Sequence, residues 1–196
     1  QAKELTNCYA SIGGIYHALG KFPEALENLN KSLELKKEHF GEDHMEIASS
    51  LFAIGKLFYS IRSLDEALKC YQKVIEITEK NGLKDSINMG QVYKHMGRVY
   101  ETKKEYQKAL DSYMKAHDLF KRNYPEMNAD MAGLLEDIGS FLTYMGQYDK
   151  ALECLNQSKD FAEKQFGADH PNVAILLNNI ANVYISQGKF DEGLEY

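Results

Sequence analysis

Lys94 and Arg98 stand four residues apart. On a helix both cations share one face and can reach a single acidic group. A 42-residue repeat register adds Lys56 to the same basic spot, with His95 beside it. Asn178 and Asn182 repeat the four-residue spacing with amides, which can pair with a peptide backbone as donor and as acceptor. Tyr59 and Tyr144 are the tyrosines expected to face a ligand; the other tyrosines fall at core spacing. The alternative for the basic spot is a solvated helix face on which Glu101 and Glu136 neutralise the cations.

Other chemistries lack their constellations. Glu136 and Asp137 are adjacent, so they point to different helix faces and make no acid/base pair. Gly13-Gly14 lies mid-helix with no GK[ST] after it, so it is not a phosphate loop. His44 and His170 each follow an aspartate and read as helix starts rather than metal ligands. His17, His39, His95 and His117 have no partner pattern for a site. No CxxC pair or zinc spacing occurs. The reading is therefore no enzyme, no cofactor and no metal.

Charge and composition narrow the partners. Twenty-three Lys and Arg against 29 Asp and Glu leave a net charge of −6. That balance argues against duplex nucleic acid, which calls for a basic stripe. No run of 18 apolar residues offers a membrane span. Cys70 and Cys154 occupy one register position two units apart, too far for a disulfide. Reduced thiols fit a cytoplasmic location.

The elements that must position these residues come from a repeat. Phe22, Leu64, Tyr106, Tyr148 and Phe190 recur every 42 residues. Each is followed three residues on by a small residue (Ala25, Ala67, Ala109, Ala151, Gly193) and then by leucine. Five copies without an insertion predict a stack of two-helix units. With the recurring aromatic counted as position 17, position 7 is Ile12, Ile54, Met96, Ile138, Ile180, and position 8 is Gly13, Gly55, Gly97, Gly139, Ala181. Position 11 is Tyr16, Phe58, Tyr100, Leu142, Tyr184. A glycine inside a helix costs roughly 0.5–1 kcal/mol against alanine, so close helix approach is expected, with position 8 facing the small residue at position 20.

The predicted helices are 3–19, 22–39, 45–60, 64–80, 86–102, 106–122, 127–145, 148–166, 171–187 and 190 onward. Ser63 to Glu66 reads as a capping box, Pro171 as a first-turn proline, and Gly20, Gly146 and Gly188 as tight turns. No segment alternates cleanly enough for a strand and no linker interrupts the units. The expectation is one domain over 1–196, with units of about 3–44, 45–85, 86–126, 127–170 and an incomplete 171–196. Starting inside a helix at Gln1 and stopping in one at Tyr196, the chain reads as a piece of a longer protein.

Positions 2, 5, 9 and 12 of the first helices form the exposed stripe. They read Asn7, Ala10, Gly14, His17, then Ser49, Phe52, Lys56, Tyr59, then Gln91, Lys94, Arg98, Glu101. The last two units give Gly133, Glu136, Ser140, Thr143 and Ile175, Asn178, Asn182, Ile185. This stripe changes from unit to unit while the core does not.

The recurring residues resemble the tetratricopeptide repeat over essentially the whole chain: Leu51, Ile54, Gly55, Phe58, Ala67, Tyr71 and Val74 in the second unit, Tyr93, Met96, Gly97, Tyr100, Ala109, Tyr113 and Ala116 in the third. The 42-residue length, HFGEDH at His39–His44, QFGADHP at Gln165–Pro171 and LLNNIANVYISQGKF at Leu176–Phe190 resemble the long-helix subclass of kinesin light chains. The loops at Lys80–Ser86 and Asn123–Asn128 lack the DHP text. The resemblance implies an all-α fold, a right-handed α-solenoid whose first helices line a concave groove. It also implies a protein or peptide segment as partner; in kinesin light chains the groove takes peptides with acidic and aromatic residues. On that reading Lys56, Tyr59, Lys94, Arg98, Asn178 and Asn182 are the groove's binding residues. A carboxylate clamp for a chaperone C-terminus is incomplete, with Asp137 at a clamp asparagine position and Ile175 replacing a cation. Two functions compete with a cargo or assembly adaptor. One is a rigid segment of a cytoskeletal or ciliary assembly, touching partners by its convex face or ends. The other is a peptide-sensing regulator of bacterial type.

Overall fold

The computed structural model describes residues 2–124 and 126–196, with side chains from Leu5 onward. The expectation for Gln1 lies outside the described residues, as does Pro125 in the Asn123–Asn128 loop. Ten helices and no strand occur among the described residues. They are α1 (Ala2–Ala18), α2 (Phe22–Phe40), α3 (Met45–Ser60), α4 (Leu64–Lys80) and α5 (Ile87–Thr102). There follow α6 (Tyr106–Asn123), α7 (Ala129–Tyr144), α8 (Tyr148–Phe166), α9 (Pro171–Ser186) and α10 (Phe190–Leu194).

The chain divides into two compact units, Gln1–Ala109 and Leu110–Tyr196. In unit 1, α1 pairs with α2 and α3 with α4; α2 also packs on α3, and α4 on α5. In unit 2, α7 pairs with α8, α8 packs on α9, and α9 on α10. Positions 3 and 10 carry much of this stacking. Val92, Val99, Leu134, Phe141, Leu176 and Val183 are all buried.

The repeated glycines explain how closely the paired helices approach. A Cβ on Gly55 would stand 2.6 Å from the Tyr71 ring, and one on Gly139 2.6 Å from Leu155 Cγ. On Gly13 it would stand 2.7 Å from Leu29 Cγ. The expected partner was the alanine at position 20. Its contribution is backbone: the carbonyl oxygens of Ala25 and Ala151 lie 3.2 Å from the added Cβ on Gly13 and Gly139. The side chain over the glycine is the one a turn later, at position 24.

The turn inside each unit is one backbone motif in five copies. Gly20, Gly146 and Gly188 have φ of 71°, 72° and 78°. Arg62 and Lys104 hold the same register position at 62° and 61°. After each, an N–H donates five residues back at 2.9 Å, from Lys21 to Tyr16 and from Ser63 to Phe58 for example.

The capping box at Ser63 does not form. Its backbone N–H, which Glu66 would accept, is already given to Phe58, and Glu66 pairs with Lys69 at 2.7 Å. Side-chain caps sit instead at the first helices α3, α5, α7 and α9. The Glu46 N–H donates to His44 Nδ1 (3.1 Å) and the Asn172 N–H to His170 Nδ1 (3.2 Å). Those rings stack on Phe40 and Phe166 at 4.6 and 4.7 Å. Ser86 and Asn128 accept from Met89 and Met131. Serving as caps, they lie just outside their helices, which is why α5 and α7 begin later than the spacing predicts.

Candidate ligand-binding surface

Every residue at positions 2, 5, 9 and 12 keeps solvent access; none is buried. The six candidate side chains divide between the units. Lys56 and Tyr59 on α3, and Lys94 and Arg98 on α5, belong to unit 1; Asn178 and Asn182 on α9 belong to unit 2.

In unit 1 the cations surround an aromatic base. Lys56 Nζ lies 5.5 Å from the centre of the Phe52 ring, within cation–π range. Phe52 packs on Tyr71 (5.8 Å) and edge-on against His95 (5.1 Å). Burial and the nearby charges of Arg98, Lys94 and Lys56 lower the His95 pKa to about 3. His95 is therefore a neutral packing ring at ordinary pH, held so first by its burial. Tyr59 is tied down: its hydroxyl lies 3.4 Å from Thr102 Oγ1, which donates to the Arg98 carbonyl at 2.8 Å.

In unit 2 Asn178 and Asn182 are exposed one turn apart on α9. The intervening Asn179 points elsewhere and donates to Glu136 Oε1 at 3.2 Å. Ile175 and Ile185 continue the same face, 52% and 47% exposed. A neighbouring bond in unit 1, His17 to Ser60 at 2.9 Å, spans 43 residues, as do the Tyr59–Thr102 and Glu136–Asn179 bonds. Part of the variable stripe thus fastens adjacent first helices together.

Clefts open beside this stripe. One of about 160 Å³ in unit 1 involves Ser49, Phe52 and Gln91. One of about 220 Å³ in unit 2 involves Gly133, Glu136 and Ile175. Another in unit 1, about 280 Å³, lies between α1 and α3 against Lys36 and Lys56. Lys36 is buried and ion-paired with Glu46 at 2.9 Å. Phe52, Phe161 and Ile175 line these clefts and are not among the binding residues expected from the sequence. Stripe position signalled Phe52 and Ile175; no pattern in the sequence singles out Phe161.

No group of His, Cys, Asp and Glu able to hold a metal occurs among the described residues, and no helix there is long and apolar enough to cross a membrane. Cys70 is pushed up to about 11, chiefly by burial, with the Glu66 charge adding; Cys154 is raised for the same first reason. Such thiols stay protonated and are weak nucleophiles.

Comparison with solved structures gives the fold at low sequence identity. BtubC (BKLC) from P. vanneervenii superposes with a TM-score of 0.84 at 16% identity, over 99% of this chain and 77% of that one. The nearly identical TPR-like repeats of a Podosopora anserina protein assigned to the kinesin light chains give 0.77 at 16%, over 100% and 92%. A Rap protein complexed with Competence and Sporulation Factor gives 0.79 at 19%, over 95% and 50%. No individually curated protein sequence matches the chain. The tetratricopeptide repeat pattern matches residues 5–80, 62–122 and 130–196. All-helical among its described residues and similar in fold to these kinesin light chain-like repeats, this chain belongs to the tetratricopeptide repeat family.

Proposed function

We propose that this protein is a non-catalytic interaction scaffold that holds a partner peptide or helix along the stripe of its first helices, as a cargo or assembly adaptor in the cytoplasm. The observation that carries this reading is the contrast within one repeat. The core positions keep their residue types, while the stripe changes in every unit and is nowhere buried. A surface that varies on a constant frame, and is only partly used to join neighbouring helices, suits recognition. In unit 1 the gathered charges of Lys56, Lys94 and Arg98 favour an acidic group on the ligand. In unit 2 the amides of Asn178 and Asn182 suit a peptide backbone. A net charge of −6 speaks for protein rather than nucleic acid. Among fold neighbours, the Rap protein holds Competence and Sporulation Factor.

The test is a panel of labelled ten-residue peptides, acidic–aromatic, neutral and basic, followed by fluorescence anisotropy. Acidic–aromatic peptides should bind best, and Lys94→Glu with Arg98→Glu should weaken them about tenfold or more. Unchanged binding to the double variant removes the basic spot from the reading. The architectural alternative draws on the bonds between adjacent first helices. Under it no peptide binds and stripe substitutions are silent.

A further inference from the structure

The turn inside each repeat is built in two ways. Gly20, Gly146 and Gly188 take the left-handed backbone without a steric penalty, whereas Arg62 and Lys104 take it with a side chain. Helices α3 and α5 end just before these two residues and touch each other. A cation can complement a helix C-terminus from the last turn, where the backbone is unstrained. The left-handed position therefore calls for another reason, and non-glycine residues held there cluster at functional sites. Both side chains are exposed, and neither makes a hydrogen bond or ion pair among the described residues. The carboxylates around them already have partners. Asp65 and Glu105 pair with Lys103, Glu105 also with Lys108 at 2.6 Å, and Glu66 with Lys69 at 2.7 Å. The His17–Ser60 and Tyr59–Thr102 contacts join the first turn to the second and the second to the third. Along that edge of unit 1 run Leu19, Ile61, Arg62 and Lys104, the two aliphatic residues 65% and 37% exposed.

We propose that this turn edge is a second docking surface, separate from the stripe, for an extended protein segment carrying two carboxylates three residues apart with an aliphatic residue beside them. Neighbouring helices stand roughly 8–10 Å apart and three residues of extended chain cover about 10 Å, so one carboxylate meets Arg62 and the other Lys104. Arg62 offers the two-pronged geometry that a carboxylate accepts, Lys104 a point charge. Ile61 and Leu19 give the aliphatic residue an apolar footing. Asp65, Glu66 and Glu105 follow close in sequence. They disfavour the dense charge of a nucleic acid or an anionic lipid surface and leave room for two separate carboxylates. The inference goes beyond the scaffold reading, since none of these residues lies on the stripe.

The experiment titrates the 15N-labelled chain with a capped hexapeptide, Leu-Ala-Asp-Ala-Ala-Asp, and with its double-asparagine counterpart, observed through backbone amide shifts. The acidic probe should move Ile61, Arg62 and Lys104 with a Kd on the order of 1 mM, and should weaken as salt is raised. The asparagine probe should leave them still. Arg62→Gly with Lys104→Gly installs the residue the other copies use, so the turn stays formed while the acidic probe weakens roughly tenfold. Arg62→Gln with Lys104→Gln keeps side chains on the left-handed backbone and should weaken it as much. Should the glycine pair disturb the fold, the glutamine pair supplies the readout. Lys94→Glu with Arg98→Glu should leave the acidic probe on the edge. Absence of shifts at Arg62 and Lys104, equal shifts from the asparagine probe, or shifts that survive both neutral pairs overturns the surface. So does loss of the edge shifts in the Lys94→Glu, Arg98→Glu variant, which would mean that the probe reaches the edge only from the stripe. Flotation with phosphatidylserine vesicles that is lost in the glycine pair would assign the cations to a membrane surface and overturn the protein segment. A peptide seated on the stripe should keep its affinity in both neutral pairs; its loss there would make stripe and edge one surface and overturn their separation.

Discussion

Two copies of one repeat junction have been put to different uses. Around α3 and α5, the junction is aromatic and charged: Phe52 packs on Tyr71 and His95, and the charges of Arg98, Lys94 and Lys56 act on the imidazole. Around α7 and α9 the cleft is about 220 Å³ against 160 Å³, with Glu136 at the register position of Phe52 and Asn179 at that of His95. The frame beneath is held constant, since Ala67 and Ala151 are fully buried and Tyr71 and Leu155 lie against Gly55 and Gly139. At position 5 a ring packed on Tyr71 in one copy gives way in the other to a carboxylate that accepts from Asn179. The repeat holds the frame, and the stripe sets which side chains each junction carries.

The largest test of this contrast is at position 24. Tyr71 is fully buried and supports both Phe52 and His95; Leu155, its counterpart, is fully buried but carries no such stack. Tyr71→Ala should cost about 3–5 kcal/mol and Leu155→Ala about 2–4 kcal/mol, read from denaturant midpoints. Equal costs would mean that the aromatic stack adds nothing to unit 1. Tyr71 also carries a buried hydroxyl with no hydrogen-bond partner. Tyr71→Phe should therefore gain about 1 kcal/mol, because an orphaned buried hydroxyl is a net cost.

The charged field around His95 gives a smaller effect with a definite sign. Its folded pKa, about 3, lies below the ordinary value of 6.5 in the unfolded chain. Below pH 6.5 the unfolded state takes up a proton that the folded state refuses. The contribution is thus complete above about pH 6.5 and declines steadily as pH falls toward 3. Between pH 6 and pH 5 the loss should be about 1 kcal/mol. His95→Asn, the unit 2 solution at this position, should remove that part of the slope whatever it does to stability at pH 7.5. A variant with the wild-type slope would show that the imidazole titrates freely in the folded chain.

How much of this was legible in the sequence depends on what sets each feature. Periodicity alone placed ten helices, because buried faces repeat every 42 residues and a single insertion would have broken the register. It also placed the stripe, since what is not core on an amphipathic helix is exposed. It did not separate Asn178 from Asn179, adjacent residues that one helical step turns toward solvent and toward Glu136. Nor did it rank Phe52 above its neighbours, because the packing of that ring depends on Tyr71 and His95 from two other helices. The box at Ser63 read correctly as composition and wrongly as structure: the tight turn claims the N–H that the box needs.

That turn separates the two regions once more, and with the smallest effect. Unit 1 builds two of its three copies of this turn on Arg62 and Lys104, whereas Gly146 and Gly188 serve unit 2. Left-handed φ brings Cβ against the carbonyl oxygen in any residue but glycine, at a cost of roughly 1–2 kcal/mol. Glycine pays part of this back through its greater freedom when unfolded. Arg62→Gly and Lys104→Gly should each gain about 0.5–1 kcal/mol, while Gly146→Arg should lose about as much. Neither Arg62 nor Lys104 is a stripe residue, so peptide affinity should not move with either change. A loss of stability in Arg62→Gly would mean that the arginine side chain holds the turn by contacts worth more than the backbone strain it carries.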